Sequence, residues 1–335
     1  MKKTVKIISA VLALLMLLSF AGCGKKDNLS SDPTPSKAYV GIDMSVACLK
    51  GPTGVGMAKL MKDSEDKKTA NNYTFTVAAA ADEISGKIVS GEINIASVPT
   101  NLAAKLYAKT QGKIQMLAVN TLVVLSVISS DENIKSIADL KGKTIYSTGE
   151  GSNPEYILRY LLKENGLEND VTVNFVATND ELVAAVVSGK AEVAMVPEPA
   201  ATTVLTKKDT LKRAFSINDE WVKVSDSKLM MGCVVALASY VEENKEQVDK
   251  FLEEYKASVK YAVKSVDDAA ELCANYEIVP AAPIAKAAIP NCNLTFVAGK
   301  DMKKSITGYF EVLLGYDPTS IGGKLPADDF YYGEK

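Results

Sequence analysis

Several short loops in this chain combine small, hydroxyl-bearing and amide-bearing residues at places where a strand gives way to a helix. The richest is Ser147-Thr148-Gly149-Glu150-Gly151-Ser152-Asn153. Its two glycines let the backbone curl, and its hydroxyls and free N–H groups suit an oxygen-rich small molecule. Gly51-Pro52-Thr53-Gly54 offers the Thr53 hydroxyl in a tight turn; no Gly-Lys-Ser/Thr follows at the spacing of a nucleotide phosphate loop. Ala80-Ala81-Asp82, Pro99-Thr100-Asn101 and Pro197-Glu198-Pro199 complete the set. In open α/β lobes a ligand sits beyond the carboxyl ends of the strands, beside helix N-termini whose unpaired N–H groups and dipole favour electron-rich atoms. This places expected ligand contacts at Pro52, Thr53, Gly54, Ala81, Asp82, Thr100 and Asn101, and at Thr148 through Asn153 with Glu198. Structural readings compete. Asn153 before Pro154 is also an N-cap, and Asp82-Glu83 and Asp180-Glu181 complement helix dipoles whether or not a ligand is near.

This chemistry is binding, not catalysis. The 335 residues contain no histidine, which removes His-based acid–base work, Ser-His and Cys-His nucleophile pairs and the commonest transition-metal ligand. No cofactor is called for. A net charge of −3, with Arg159 and Arg213 as the arginines, does not describe a nucleic-acid surface. The charge of the ligand stays open. Helix N-termini alone could hold a nitrate or sulfonate, but Glu150 and Glu198 would repel it unless paired or turned away. Acids without a nearby arginine suit a neutral or cationic heterocycle, yet the loops contain no aromatic platform. Tyr39, Tyr146, Tyr156 and Trp221 could serve only by turning inward, with Met230 and Met231 as a softer wall.

The elements that position these loops are legible from a repeat. Asp82-Glu83-Ile84-Ser85-Gly86-Lys87-Ile88-Val89-Ser90-Gly91, leading to Ile95-Ala96-Ser97-Val98-Pro99, is echoed by Asp180-Glu181-Leu182-Val183-Ala184-Ala185-Val186-Val187-Ser188-Gly189, leading to Val193-Ala194-Met195-Val196-Pro197. Each copy reads as a helix, a glycine stop, a buried strand and a proline opening the next helix. Short apolar runs alternate with helical patterns elsewhere, which predicts α/β lobes with mostly parallel sheets. The apolar run Leu122–Ile128 reads as the passage into a second lobe, and Leu229–Leu237 as the return. Lobe one is expected at 38–122 and 236–335, lobe two at 123–235.

At the N-terminus, Lys2, Lys3 and Lys6 precede an apolar stretch from Ile7 to Phe20, too short for a comfortable span. Ser19-Phe20-Ala21-Gly22-Cys23 resembles a bacterial lipobox. It implies a signal peptide over 1–22, lipidation of Cys23, a tether over 23–37 and a membrane-anchored, exported body. Cys48, Cys233, Cys273 and Cys292 have apolar flanks and read as buried thiols, Cys273 and Cys292 being the pair near enough in sequence for a bridge.

Further motifs occur in a distinctive order: Ile137-Ala138-Asp139-Leu140-Lys141-Gly142-Lys143, the Gly/Ser loop, Glu164-Asn165-Gly166-Leu167, Ser188-Gly189-Lys190-Ala191-Glu192-Val193-Ala194, then Pro197-Glu198-Pro199. With the lipobox, this order resembles the substrate-binding lipoproteins of ABC importers in the nitrate/sulfonate/taurine and thiamine-precursor group. The resemblance spans nearly all of the mature chain. It implies a type II periplasmic-binding-protein-like fold, two lobes joined by two crossing strands, a monomer that captures a small solute, and delivery to a permease with its ATPase. An extracellular sensor, or an enzyme of pyrimidine or dehydratase type on the same fold, are the alternatives.

Overall fold

A computed structural model describes residues 39–333. The expected signal peptide, the expected lipidation at Cys23 and the expected tether lie outside the described residues.

The first sheet contains β1 (Asp43–Leu49), β2 (Asn72–Ala78), β3 (Ile95–Pro99), β4 (Ile114–Leu122), β10 (Met230–Leu237) and β11 (Leu294–Val297), in the order β11-β4-β10-β3-β1-β2. Strands β1 to β4 run one way and β10 and β11 the other. The second contains β5 (Leu125–Ser129), β6 (Thr144–Ser147), β7 (Thr172–Phe175), β8 (Val193–Pro197) and β9 (Lys212–Ser216), in the order β7-β6-β8-β5-β9. There only β5 opposes the rest. Read from β2 and from β7, both sheets have the same plan: second strand, first strand, third strand, an antiparallel strand, fourth strand.

The sequence repeat falls on equivalent places of this plan. Its helices are α3 (Asp82–Ser90) and α6 (Asn179–Ser188), each leading into the third strand of its sheet, β3 and β8. Both end on a left-handed glycine, Gly91 at φ 80° and Gly189 at φ 85°, a conformation other residues adopt only under strain. Their acids act at the helix starts. Glu83 accepts the Ala80 N–H at 3.0 Å and Glu181 the Ala177 N–H at 3.1 Å, while Thr178 caps α6 through the Glu181 N–H. The β-strands β3 and β8 are buried along nearly their full length, so both sheet faces are covered by helices.

Chain passage between the sheets departs from sequence expectation in its details. The run Leu122–Ile128 is not one strand: β4 ends at Leu122 and β5 starts at Leu125, and Val123-Val124 make the crossing. Strand β10 pairs with β3 and β4 along its whole length, so it belongs to the first sheet and residues 222–229 carry the return. A further excursion follows β11. Helix α13 (Lys300–Tyr316) packs on α5 (Asn153–Glu164) and on Trp221, whose ring lies 5.8 Å from Tyr309. The tail then comes back to the first lobe. Residues Pro318–Ile321 pack on α4 (Thr100–Lys109), Phe330 is buried against Tyr107 at 5.0 Å, and Tyr332 N donates to Met116 O at 2.9 Å.

One apolar core, including Val98, Tyr156, Trp221 and Phe310, runs continuously between the sheets; another lies between the first sheet and α10 (Lys245–Lys264) with α11 (Val266–Asn275). Cys48, Cys233, Cys273 and Cys292 are all buried free thiols. Among the described residues no helix is long and apolar enough to cross a membrane.

Candidate functional site

The carboxyl ends of the two sheets meet. After β1 the chain turns at Gly51, φ 93°, into the short helix α1 (Pro52–Val55). A side chain added at Gly51 would lie 3.4 Å from Pro199 and 3.7 Å from the Glu198 carbonyl, so the first-lobe turn sits directly against the loop after β8. After β3, Thr100 and Asn101 open α4; after β6, Ser147 to Ser152 lead into α5. The two helix starts touch: Asn153 Nδ2 donates to Thr100 Oγ1 at 3.1 Å and to Met231 O at 2.9 Å. Helix N-termini of both lobes therefore converge on one boundary, with their positive dipole ends facing inward.

The candidate residues occupy different stations there. Pro52 and Thr53 are half-buried, and Gly54 is buried because a side chain would meet Leu49 O at 2.6 Å. Ala81 is half-buried and Asp82 exposed at the start of α3. Thr100 is buried and donates to Met230 O at 2.6 Å. Asn101 is buried too, its amide turned to Ser320 O at 3.5 Å and its Oδ1 without a partner. Thr148 donates to Asn179 Oδ1 at 2.8 Å. Gly149 (φ 83°) and Gly151 (φ 71°) need their left-handed backbone; Ser152 is half-buried, and Glu150 is exposed. Asn153 is 1% exposed and also accepts from the Tyr309 hydroxyl at 3.0 Å.

Glu198 is committed internally. Its side chain is 1% exposed; Oε1 pairs with Arg213 Nη2, and Oε2 accepts from Thr202 N at 3.2 Å and Thr202 Oγ1 at 2.8 Å. Arg213 also donates to Ser126 Oγ at 3.1 Å. The acid is thus neutralised across the neighbouring strands β8, β5 and β9, a partner invisible to linear spacing.

Sequence reasoning also missed a buried polar network under the Thr53 turn. Asn120 Nδ2 donates to Ser97 Oγ at 2.5 Å and to the Tyr255 hydroxyl at 2.9 Å; Thr121 Oγ1 donates to Asn120 Oδ1 at 3.1 Å, and Ser97 Oγ to Thr53 O at 3.3 Å. Burial pushes the Tyr255 hydroxyl well above the usual tyrosine range, so it stays a neutral partner. The signal was present as Asn120-Thr121 following the apolar stretch Met116–Val119 of β4. Among the described residues no group of three or more acids and thiols could hold a metal ion.

The sequence profile described as NMT1/THI5 like matches residues 101–269, half of the chain. The chain belongs to the NMT1/THI5-like family. No curated protein sequence matches significantly. Among solved structures, an ABC transporter from Parabacteroides distasonis superposes with a TM-score of 0.74 at 21% identity, covering 89% of this chain and 100% of that one. The periplasmic aliphatic sulphonate binding protein SsuA of Escherichia coli gives 0.69 at 16% identity, over 84% of this chain and 89% of that one. The periplasmic nitrate-binding protein NrtA of Synechocystis PCC 6803 gives 0.56 at 15%, over 74% and 69%. At such identities the likeness is one of fold. This NMT1/THI5-like chain has the two-lobed α/β architecture of periplasmic binding proteins.

Proposed function

We propose that this chain is the extracytoplasmic solute-binding lipoprotein of an ABC importer. Anchored through Cys23, it captures a small organic solute between its lobes as a monomer and presents the closed form to a permease and its ATPase. It transforms nothing and binds no nucleic acid. The observation that carries this reading is the meeting of α4 and α5 N-termini across the lobe boundary, with Thr53, Thr148 and Ser152 beside them. Ligand would favour the closed arrangement by touching both lobes at once.

The Glu198–Arg213 pair bears on solute charge. With that acid compensated and Glu150 exposed, the objection to an anion falls away. Of the four aromatic candidates for a flat ring, Trp221 is buried beneath α13 and Tyr156 is covered by Lys105 at 5.1 Å. A solute with an oxygen-rich head group, sulfonate-like or nitrate-like, fits helix N-termini and hydroxyls better than a thiamine-precursor pyrimidine.

Thermal unfolding and small-angle scattering with nitrate, methanesulfonate, taurine and a methylated aminopyrimidine test this. A solute at a hundred times its Kd should stabilise by about 2.7 kcal/mol, and the particle should become more compact. A response to the aminopyrimidine alone would reverse the head-group preference, and product formation detected by mass spectrometry would make the protein an enzyme. Silence across the panel would count against capture altogether. Cys23→Ser should release the protein from the membrane fraction.

A further inference from the structure

Asn153 stands in the candidate solute loop, yet its polar capacity is directed elsewhere. A primary amide has two donor hydrogens and one acceptor oxygen. The donors go to Thr100 Oγ1 at 3.1 Å and Met231 O at 2.9 Å, both in the first lobe; the acceptor takes the Tyr309 hydroxyl of α13 at 3.0 Å. Thr100 passes its own hydrogen to Met230 O at 2.6 Å, so the node is complete and directional. Two residues earlier, Lys105 of α4 donates to Gly151 O at 3.0 Å while also donating to the Tyr156 hydroxyl at 3.2 Å. The loop entry is held differently. Ser147 Oγ donates to Met195 O at 3.2 Å, and Thr148 Oγ1 to Asn179 Oδ1, both within the second lobe.

We propose that Asn153 is a positioning residue: it pins the exit of the 148–152 loop to the first lobe and to α13, and thereby fixes the shape in which that loop meets solute. Between the two anchorages the loop contains left-handed Gly149 and Gly151, the residues with most conformers to lose. A side chain at Gly149 would lie 2.8 Å from the Pro154 ring, so the loop curls tightly onto the helix start that Asn153 holds. Lobe separation that draws Thr100 and Met231 away from α5 removes two of the three bonds and frees the loop. The shape of the loop is in this way coupled to closure through one side chain.

That the loop serves solute rests on the proposed function; its anchoring does not, and is measured without solute. Amide hydrogen exchange is followed by mass spectrometry on peptides spanning residues 147–156 in Asn153→Ala, Thr100→Val and Tyr309→Phe, with peptides from β1 and β2 as internal reference. Asn153→Ala should accelerate exchange in 147–156 by about tenfold or more, as losing bonds to a local opening does, and leave the reference peptides unchanged. Thr100→Val, although in the other lobe, should accelerate the same peptides. The double variant should accelerate exchange by less than the two single effects combined, because the two share one bond. If Asn153→Ala does not fold, Thr100→Val and Tyr309→Phe, which keep their apolar contacts, decide the matter. Uniform acceleration across the protein, an unmoved loop, or additive effects would overturn the proposal. Failure of the capture model would show instead as an unresponsive wild type in the solute panel.

Discussion

Replacing Arg213 by Met tests whether Glu198 is neutralised as the geometry requires. The Glu198 side chain is 1% exposed and has three hydrogen-bond donors, of which Arg213 is the only charged one. In Arg213→Met the two bonds from Thr202 remain on Oε2, and Oε1 is left bare. Removing one partner of a buried pair costs about 3–5 kcal/mol because the remaining charge is uncompensated. The Arg213 side chain is 31% exposed, so water can reach the vacated space, which puts the expected loss at the lower end, about 3 kcal/mol. Glu198→Gln removes the charge and keeps an acceptor for Thr202. In the double variant the penalty should shrink, giving a coupling energy of at least about 1 kcal/mol. Urea unfolding of the four proteins measures this, provided the m-value is constant. A loss below about 1 kcal/mol for Arg213→Met, or strict additivity in the double variant, would refute the electrostatic account. A functional consequence follows from position. Gly51 lies against the Glu198 backbone, so an exposed charge there should weaken an anionic solute far more than a neutral one.

Other perturbations address the framework. Gly232→Ala places a Cβ 2.6 Å from Asn120 Oδ1 and 2.9 Å from both Thr121 Cβ and Thr53 Cγ2. Such overpacking should cost about 1–3 kcal/mol in urea unfolding, with partial relief in an Asn120→Ala background. Burial and the Asp329 carboxylate push the Tyr107 hydroxyl from 10 up to about 12. The unfolded chain thus releases that proton first; the associated stability is complete below pH 10 and is lost between 10 and about 12, a slope that Tyr107→Phe should flatten. Burial raises Cys48 to about 12 and the other three thiols likewise upward. At about pH 8 a thiol reagent should leave all four unreacted until denaturant is added, and fast native labelling of any of them would contradict their placement.

Local sequence signals resolved well wherever one element decided the outcome. The span of α3, its Gly91 stop and the matching α6 with Gly189 were legible because a left-handed stop and a 3.6-residue apolar stripe are properties of a single segment. The break at Val123-Val124 was not, since a continuous apolar run does not reveal where its hydrogen bonds change from β10 to β8. Nor was the sheet membership of β10, which depends on partners more than a hundred residues away. In the site, the small-residue loops could be located, but not what each side chain would face. Glu198 looked like an uncompensated acid because Arg213 lies fifteen positions on, in a strand that returns beside it only after α7 (Ala200–Lys207) and a turn. Asn153 looked like a cap or a ligand donor because Tyr309 is 156 positions away. A polar side chain's role is set by its partners, and those are long-range facts.

Helix α13 constrains the proposed closure. Two crossings at 122–125 and 222–229 would by themselves allow a simple rotation of one lobe on the other. The chain, however, also leaves the first sheet after β11, lays α13 on α5 and Trp221, and returns to pack residues 318–321 on α4 and Tyr331 beside Met116. Along α13, Met302, Ile306, Tyr309, Phe310 and Leu313 are fully buried, so peeling it away would expose five large apolar side chains. At about 1.5–3 kcal/mol each, that exposure is far more than a solute's differential binding supplies. That face meets both lobes, Trp221 lying 5.8 Å from Tyr309 and Phe330, which packs on Tyr107, 6.5 Å from Phe310, so α13 ties the lobes together rather than riding with one of them. The proposed closure would therefore act on α13 and on the polar contacts around it. The strongest of these in the site is the node at Asn153, where α4, α5, β10 and α13 meet through one amide. Apolar packing around α13 holds the lobes together; under the proposed capture, the few hydrogen bonds between them would set how readily they part.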